Sequence, residues 1–305
     1  SQVEYVKGCS IRDTVTTDIE QAVAAAQRSE VIIAVVGGSS ARDFKTSYKE
    51  TGAAIADEKT ISDMECGEGF DRATLSLLGK QQELLKALKA TGKPLIVVYI
   101  EGRPLDKNWA SENADAVLTA YYPGQEGGIA IADVLFGDFN PAGRLPFSVP
   151  RSVGQIPLYY NKKAPQSHDY VEMSASPLYP FGYGLSYTSF VYSDLQITPK
   201  EQGVQGEVNI SCRVKNTGKV KGDEVVQLYL RDEVSSVTTY TKVLRGFERI
   251  SLEPGEEKIV RFKLRPQDLG LWDKNMNFCV EPGSFKVMVG ASSADIRLEG
   301  SFEII

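Results

Sequence analysis

The sequence predicts an α/β domain with a mainly parallel sheet, followed by an all-β antiparallel sandwich. Three observations carry that prediction. Short apolar, β-branched runs alternate with helix-spaced segments as far as about residue 160, the pattern of βαβ units. Past a polar stretch the hydrophobic period changes to two, with Pro-Gly turns at 254–255 and 282–283. The length of 305 residues suits two domains, each able to bury its own core. The expected boundaries are 1–160 for the α/β domain, 161–180 for a linker and 181–305 for the β-domain.

Taken in order, Val3-Glu-Tyr-Val6 reads as a short strand. An Ala-rich helix follows over 19–29, with Asp18 placed to cap it. The continuous run Val31-Ile-Ile-Ala-Val-Val36 fits a strand buried on both faces. A long polar loop then runs to Arg72, and a leucine-spaced helix is expected from about 73–75 to Thr91, closed by Gly92. A second strand, Pro94-Leu-Ile-Val-Val-Tyr-Ile100, leads through Gly102-Arg-Pro-Leu105 into a helix ending near Glu112. Ala116-Val-Leu-Thr119 is a strand and 126–136 a helix. The stretch 161–177 is polar, holds two prolines and reads as linker. Alternating strands are then expected over 208–214, 224–230, 242–250, 258–264 and 284–290, within a sandwich of about seven.

Composition narrows the function classes. A net charge of −6 offers no basic stripe for a nucleic acid. No apolar run approaches the roughly 20 residues of a membrane span. Hydrophobic and charged contents of 42% and 24% are those of an ordinary globular protein. Cys9, Cys66, Cys212 and Cys279 lack the paired spacing of a zinc site, and His168 is the single histidine, set in a polar stretch. A His-based triad and a His-ligated metal both fall away, and no cofactor or metal is expected. Cys212 and Cys279 share the β-domain, where a bridge and two buried free thiols both fit, the thiols being the preferred reading.

The loop from Gly37 to Arg72 leaves the carboxyl end of a predicted parallel strand, where open α/β sheets place their sites. Loops of that length in compact domains are usually functional or disordered. Its last part reads Asp63-Met-Glu-Cys-Gly-Glu-Gly-Phe-Asp-Arg72. Glycines on both sides of Glu68 permit unusual dihedrals and close approach to a ligand. Glu65 is the competing carboxyl. Arg42, Asp43, Lys45 and Tyr48 lie earlier in the loop as possible subsite residues, a solvated face being the plainer reading for them. Gly37-Gly-Ser-Ser40 lacks the spacing of a phosphate loop. Trp109, Tyr121 and Tyr122 lie beside core elements and read as packing.

Several motifs combine into a family resemblance. Pro123-Gly-Gln-Glu-Gly-Gly128, Ala132-Asp-Val-Leu-Phe-Gly-Asp138 and Asn140-Pro-Ala-Gly-Arg-Leu-Pro146 form one group. Tyr179-Pro-Phe-Gly-Tyr-Gly-Leu-Ser-Tyr187 is a second. Asn216-Thr-Gly, Gly222-Asp-Glu-Val-Val-Gln-Leu-Tyr229 and Leu244-Arg-Gly-Phe247 form a third. In this order, over nearly the whole chain, they resemble the C-terminal half of glycoside hydrolase family 3, the β-glucosidases and β-xylosidases. The resemblance implies an α/β sandwich followed by a fibronectin type III-like domain, with a TIM-like barrel preceding both. No stretch here matches the barrel.

The resemblance also implies a retaining mechanism, with the nucleophilic Asp on the barrel and an acid/base Glu on a loop of the α/β domain. Gly67-Glu-Gly-Phe-Asp-Arg72 looks like that loop, and Glu68 falls on the acid/base position. Phe70 and Arg72 are the candidate substrate-binding residues. Phe70 offers an apolar wall or a stacking face. Arg72 and Asp71 also fit the plainer role of pinning the loop to its own helix, Asp71 as N-cap. The implied substrate is a terminal β-linked glucoside or xyloside, the location periplasmic or extracellular, and the isolated chain nearly inactive. The alternative from another class is a non-catalytic carbohydrate-binding or protein-interaction module, since fold does not fix function.

Overall fold

The computed structural model describes residues 2–12, 17–41, 47–53, 64–67, 70–163 and 168–305. The chain forms two compact units, one of 1–132 with 150–156, the other of 133–149 with 157–305.

The first unit holds three parallel strands in the order β1-β2-β3, namely β1 (Ile32–Gly37), β2 (Leu95–Ile100) and β3 (Ala116–Thr119). Its helices are α1 (Thr17–Arg28), α2 (Gln81–Lys89) and α3 (Asn108–Asn113), and α4 (Gly127–Phe136) runs across the division between the units. In register, Ile32 faces Leu95 and Gly37 faces Ile100, so the two strands end together. Ile19, Ala22 and Ala26 of α1 and Leu84, Leu85 and Leu88 of α2 pack with Leu95, Val97 and Tyr99 into one core.

Several expectations change here. Among the described residues the 3–6 segment pairs with no strand, and Val3 and Tyr5 lie exposed. β1 is buried on one face only: Ile32, Ala34 and Val36 point inward, while Ile33 and Val35 are 43% and 61% exposed. α2 begins at Gln81 rather than near 73–75. Gly79 sits at φ 59°, and the Leu75 carbonyl accepts from the Asp106 amide at 2.7 Å, so the leucines ahead of it lie in an irregular stretch. Asp71 is exposed and lies well ahead of the helix, whose N-cap is Lys80. α3 starts at Asn108, after Arg103-Pro104, because the residue before a proline is disfavoured in the helical region.

The second unit is a sandwich of two sheets. One has the order β5-β13-β12-β7-β8 and the other β4-β6-β9. Its long strands are β4 (Phe190–Thr198), β6 (Val208–Asn216), β7 (Gly222–Asp232), β8 (Val243–Leu252), β9 (Glu257–Leu264), β12 (Gly283–Gly290) and β13 (Ile296–Ile304). β5 (Glu201–Gln202) extends the first sheet, and β10 (Leu271–Trp272) pairs with β11 (Phe278–Cys279) after a short helix, α5 (Pro266–Leu269). Alternate residues such as Val208, Ile210, Cys212 and Val214 enter the core, as period two requires. All four cysteines are free.

Segment 133–149, expected in the first domain, groups with this unit. Asn140 donates to the Lys221 carbonyl at 2.9 Å and accepts from the Tyr187 amide at 2.8 Å. Arg144 pairs with the buried Glu224 at 3.2 Å, and Glu224 also accepts from the Tyr192 hydroxyl at 3.2 Å. In the stretch expected as linker, Lys163 bridges to Tyr240 and Tyr179 to Val149.

Two stability tests follow from buried charge. In the first unit Lys107 Nζ lies 2.6 and 2.7 Å from the Glu101 carboxylate oxygens, both side chains being 1% exposed. Burial lowers the Lys107 pKa, against the raising effect of Glu101. Lys107→Met should cost about 3–5 kcal/mol in denaturant unfolding by stranding the carboxylate, and Glu101→Leu in the same chain should restore most of it. In the second unit, burial pushes the Asp232 carboxyl from 3.8 up to about 6, opposed by a hydrogen bond from the Val234 amide and helped by Glu281. The folded state then binds more protons than the unfolded one between those values, so this group costs stability as pH rises through about 6. Asp232→Asn should therefore raise the melting temperature at pH 7 and leave it nearly unchanged at pH 4.

Candidate functional site

The carboxyl ends of β1 and β2 lie side by side, and the chain leaving each of them meets the end of the long loop. At β1, Gly37 and Gly38 bring backbone into contact that no side chain would allow. A Cβ on Gly37, at φ 140°, would sit 1.9 Å from the Ile100 carbonyl oxygen, and one on Gly38 would sit 2.1 Å from Glu65 Oε1. The buried Gln81 side chain clasps the same strand end, accepting from the Gly37 amide at 2.7 Å and donating to its carbonyl at 2.9 Å. Ser39 then pairs with Met64 in a parallel bridge, and the Glu65 amide donates to the Ser39 carbonyl at 2.9 Å. The loop thus returns to the strand it left.

Glu65 is the anchor of that return. Its side chain is 1% exposed and its Oε2 lies 2.7 Å from Arg72 Nη1 and 3.9 Å from Arg103 Nε. Arg72 Nη2 also donates to the Ser76 carbonyl, and the Arg72 side chain is 7% exposed. Arg103 Nη2 donates to two backbone carbonyls, Glu65 at 3.2 Å and Phe70 at 3.1 Å. The Phe70 amide donates to the Gly67 carbonyl at 3.1 Å. Tyr122 lies against Cys66 beside Gly102, and burial pushes its phenol up to about 12, with Cys66 and Glu65 adding to the shift.

These contacts sort the candidates. Glu65, the competing carboxyl, faces two guanidinium groups. Arg72 pairs with Glu65 and donates to the Ser76 carbonyl, contacts that hold the loop end. Phe70 is half-buried and lines a cavity of about 260 Å³ with Arg12, Met64, Asp71, Arg72 and Leu78. Tyr48 donates its hydroxyl to the Met64 sulfur at 3.6 Å. His168 is exposed. Glu68, Arg42, Asp43 and Lys45 lie outside the described residues. Among the described residues no group of three His, Cys, Asp or Glu is arranged to hold a metal. The carboxylate of Glu65 fills the space over Gly38, which disposes of an anion cradle there.

Sequence reasoning passed over Gln81, Glu101, Arg103 and Lys107. Glu101-Gly-Arg-Pro104 follows an apolar strand directly. The rule that sites sit beyond the carboxyl ends of parallel strands applied to β2 as much as to β1.

Comparison with known proteins agrees with this architecture. The chain matches the Glycosyl hydrolase family 3 C-terminal domain over residues 3–187 and the Fibronectin type III-like domain over 224–293. It is 42% identical to a β-xylosidase of Formosa agariphila over 296 residues, covering 96% of this chain and 38% of that protein. It is 41% identical to a periplasmic β-glucosidase of Salmonella typhimurium, covering 94% of this chain and 36% of that one. Among solved structures, a β-glucosidase from Erythrobacter marinus superposes with a TM-score of 0.86 at 38% identity, over 100% of this chain and 41% of its own. The β-glucosidase of Listeria innocua in complex with glucose gives 0.84 at 31% identity, over 96% and 39%. The chain spans little more than a third of its curated relatives' length. With an α/β sandwich whose sheet is parallel, a fibronectin type III-like sandwich after it, and matches in that order, the chain belongs to glycosyl hydrolase family 3, in the C-terminal part of that family's proteins.

Proposed function

We propose that this chain is the acid/base-bearing part of a retaining β-glycosidase that removes terminal β-linked glucose or xylose. Glu68 is the acid/base in this reading, and the nucleophilic Asp belongs to a barrel domain outside this chain. The observation that carries it is the frame at the loop's two ends, where Glu65, Arg72 and Arg103 fix the chain on both sides of Glu68. A carboxyl that must face a second carboxyl across a sugar needs such a frame, because the two stand only about 5–5.5 Å apart in retaining enzymes.

The chemistry assigns each residue a task. The nucleophile attacks the anomeric carbon while Glu68 gives its proton to the departing oxygen. Glu68 then takes a proton from water, which attacks the glycosyl-enzyme ester and releases the sugar with its configuration retained. Phe70 supplies an apolar wall beside the loop, a surface that favours the protonated form of a neighbouring carboxyl and stacks on a sugar. Arg72 and Glu65 position the loop without touching substrate.

Several relatives are named β-glucosidases and others β-xylosidases, which supports the sugar class and leaves both sugars in it. One relative is named periplasmic, and among the described residues no helix is long and apolar enough to cross a membrane. We place the parent protein in the periplasm or outside the cell on that basis. The exposed apolar side chains of β1, Ile33 and Val35, also fit a chain that works as part of something larger.

Glu68→Ala in the intact parent protein should lower turnover of phenyl β-glycosides by about 100–10,000-fold. Dinitrophenyl glycosides, whose leaving group departs without a proton, should lose far less. Equal losses across the leaving-group series would remove Glu68 from the acid role. The 305-residue chain alone should show no turnover of either substrate above the buffer rate. Ordinary enzymatic turnover by it would place the whole site within this chain.

A further inference from the structure

We propose that Arg103 is a positioning residue for the acid/base, a staple that closes the two ends of the loop carrying Glu68. This rests on the reading of Glu68 given above. One nitrogen, Nη2, donates to the carbonyl of Glu65 at 3.2 Å and to that of Phe70 at 3.1 Å. Both carbonyls are therefore within reach of a single atom, although an extended stretch of that length would span roughly 17 Å. The guanidinium thus ties together two points of the chain five residues apart in sequence, Glu65 and Phe70. Nε meanwhile faces the Glu65 carboxylate at 3.9 Å, so the same plane reads backbone and side chain together. An ammonium has no second nitrogen to face the Glu65 carboxylate while the first holds both carbonyls.

The staple is itself held. Arg103 projects from the turn after β2, and that turn is fixed by buried contacts. Glu101 accepts from the Leu105 amide at 3.1 Å and from Lys107 Nζ at 2.6 and 2.7 Å. Lys107 Nζ also stands 4.5 Å above the Tyr99 ring, within the sheet core. Rigidity passes from the core of the parallel sheet to Lys107 and Glu101, then to Arg103, then to both ends of the loop. General acid catalysis demands such rigidity, since displacing a reacting group by about 1 Å can cost 100-fold in rate. Nucleophilic attack from another domain makes no such demand on this loop. Loss of the staple should therefore resemble a partial loss of the acid.

The test uses Arg103→Ala, Arg103→Gln and Arg103→Lys in the intact parent protein, with Glu68→Ala beside them. For Arg103→Ala, kcat on phenyl β-glycosides should fall about 100-fold, with dinitrophenyl glycosides nearly spared and KM little changed. The Lys variant should recover part of the loss and the Gln variant less. The basic limb of the pH profile should move in the Ala variant. A second reading does not depend on activity. Peptide-resolved amide exchange across 65–70 and alkylation of Cys66, a half-buried free thiol within the stapled stretch, should both quicken in Arg103→Ala. Exchange elsewhere in the sheet should stay the same.

Unchanged exchange and alkylation across 65–70 would overturn the staple, whatever the kinetics. So would equal kinetic losses for every leaving group in Arg103→Ala when Glu68→Ala shows the leaving-group dependence. If Glu68→Ala shows none, the reading of Glu68 fails, and quickened exchange in Arg103→Ala still establishes the staple on the loop.

Discussion

A buried carboxylate is the constraint on which the site depends. Glu65 has been taken out of water, and an ion so placed is tolerated only with close cationic partners. Arg72 comes from the far side of the loop and Arg103 from the turn beyond β2, so satisfying one charge brings together three stretches distant in sequence. The glycines at the end of β1 matter for the same reason. Gly38 leaves the room that the Glu65 carboxylate occupies, and a methyl group there would push the anchor out of its place.

The same device recurs in both units. Glu101 is closed by Lys107 in the first, and Glu224 by Arg144 and Tyr192 in the second. Such pairs add little net stability compared with apolar packing, because desolvation offsets most of the attraction. Their value here is discrimination among arrangements. A hydrophobic contact tolerates a slipped neighbour, whereas a buried carboxylate without its cation is expensive. Each pair sits where an irregular segment must be fixed: the turn after β2, the end of the acidic loop and the 133–149 segment against the sandwich.

The sequence disclosed what depends on local pattern. β2 and β3 were readable from continuous apolar runs, and β6, β7, β8, β9 and β12 from alternation between turn signals. The two-residue strands β5, β10 and β11 were passed over, and so were the long strands β4 and β13. β4 has Asp194 at φ 54° and a register shift between Ser193 and Gln196, which breaks its alternation, and β13 carries Gly300 at its middle. The leucines before α2 have helical spacing but irregular backbone, and the Leu75 carbonyl is taken by Asp106, a residue far along the chain. β1 looked doubly buried because composition reports hydrophobicity without saying which face is covered. At the site, the loop and its Glu-Gly-Phe motif stood out locally. The residues that frame it did not, since Gln81 and Arg103 act across 44 and 33 residues of sequence.

The contacts made by Arg103 have a consequence for how this loop can change. Its two hydrogen bonds end on main-chain oxygens, which every residue type carries alike. The grip is therefore indifferent to the side chains between its two points of attachment. A lineage could exchange residues around the proposed acid/base Glu68 while the hold on the loop's ends persisted. Conservatism in the frame and licence within it come from the same pair of hydrogen bonds.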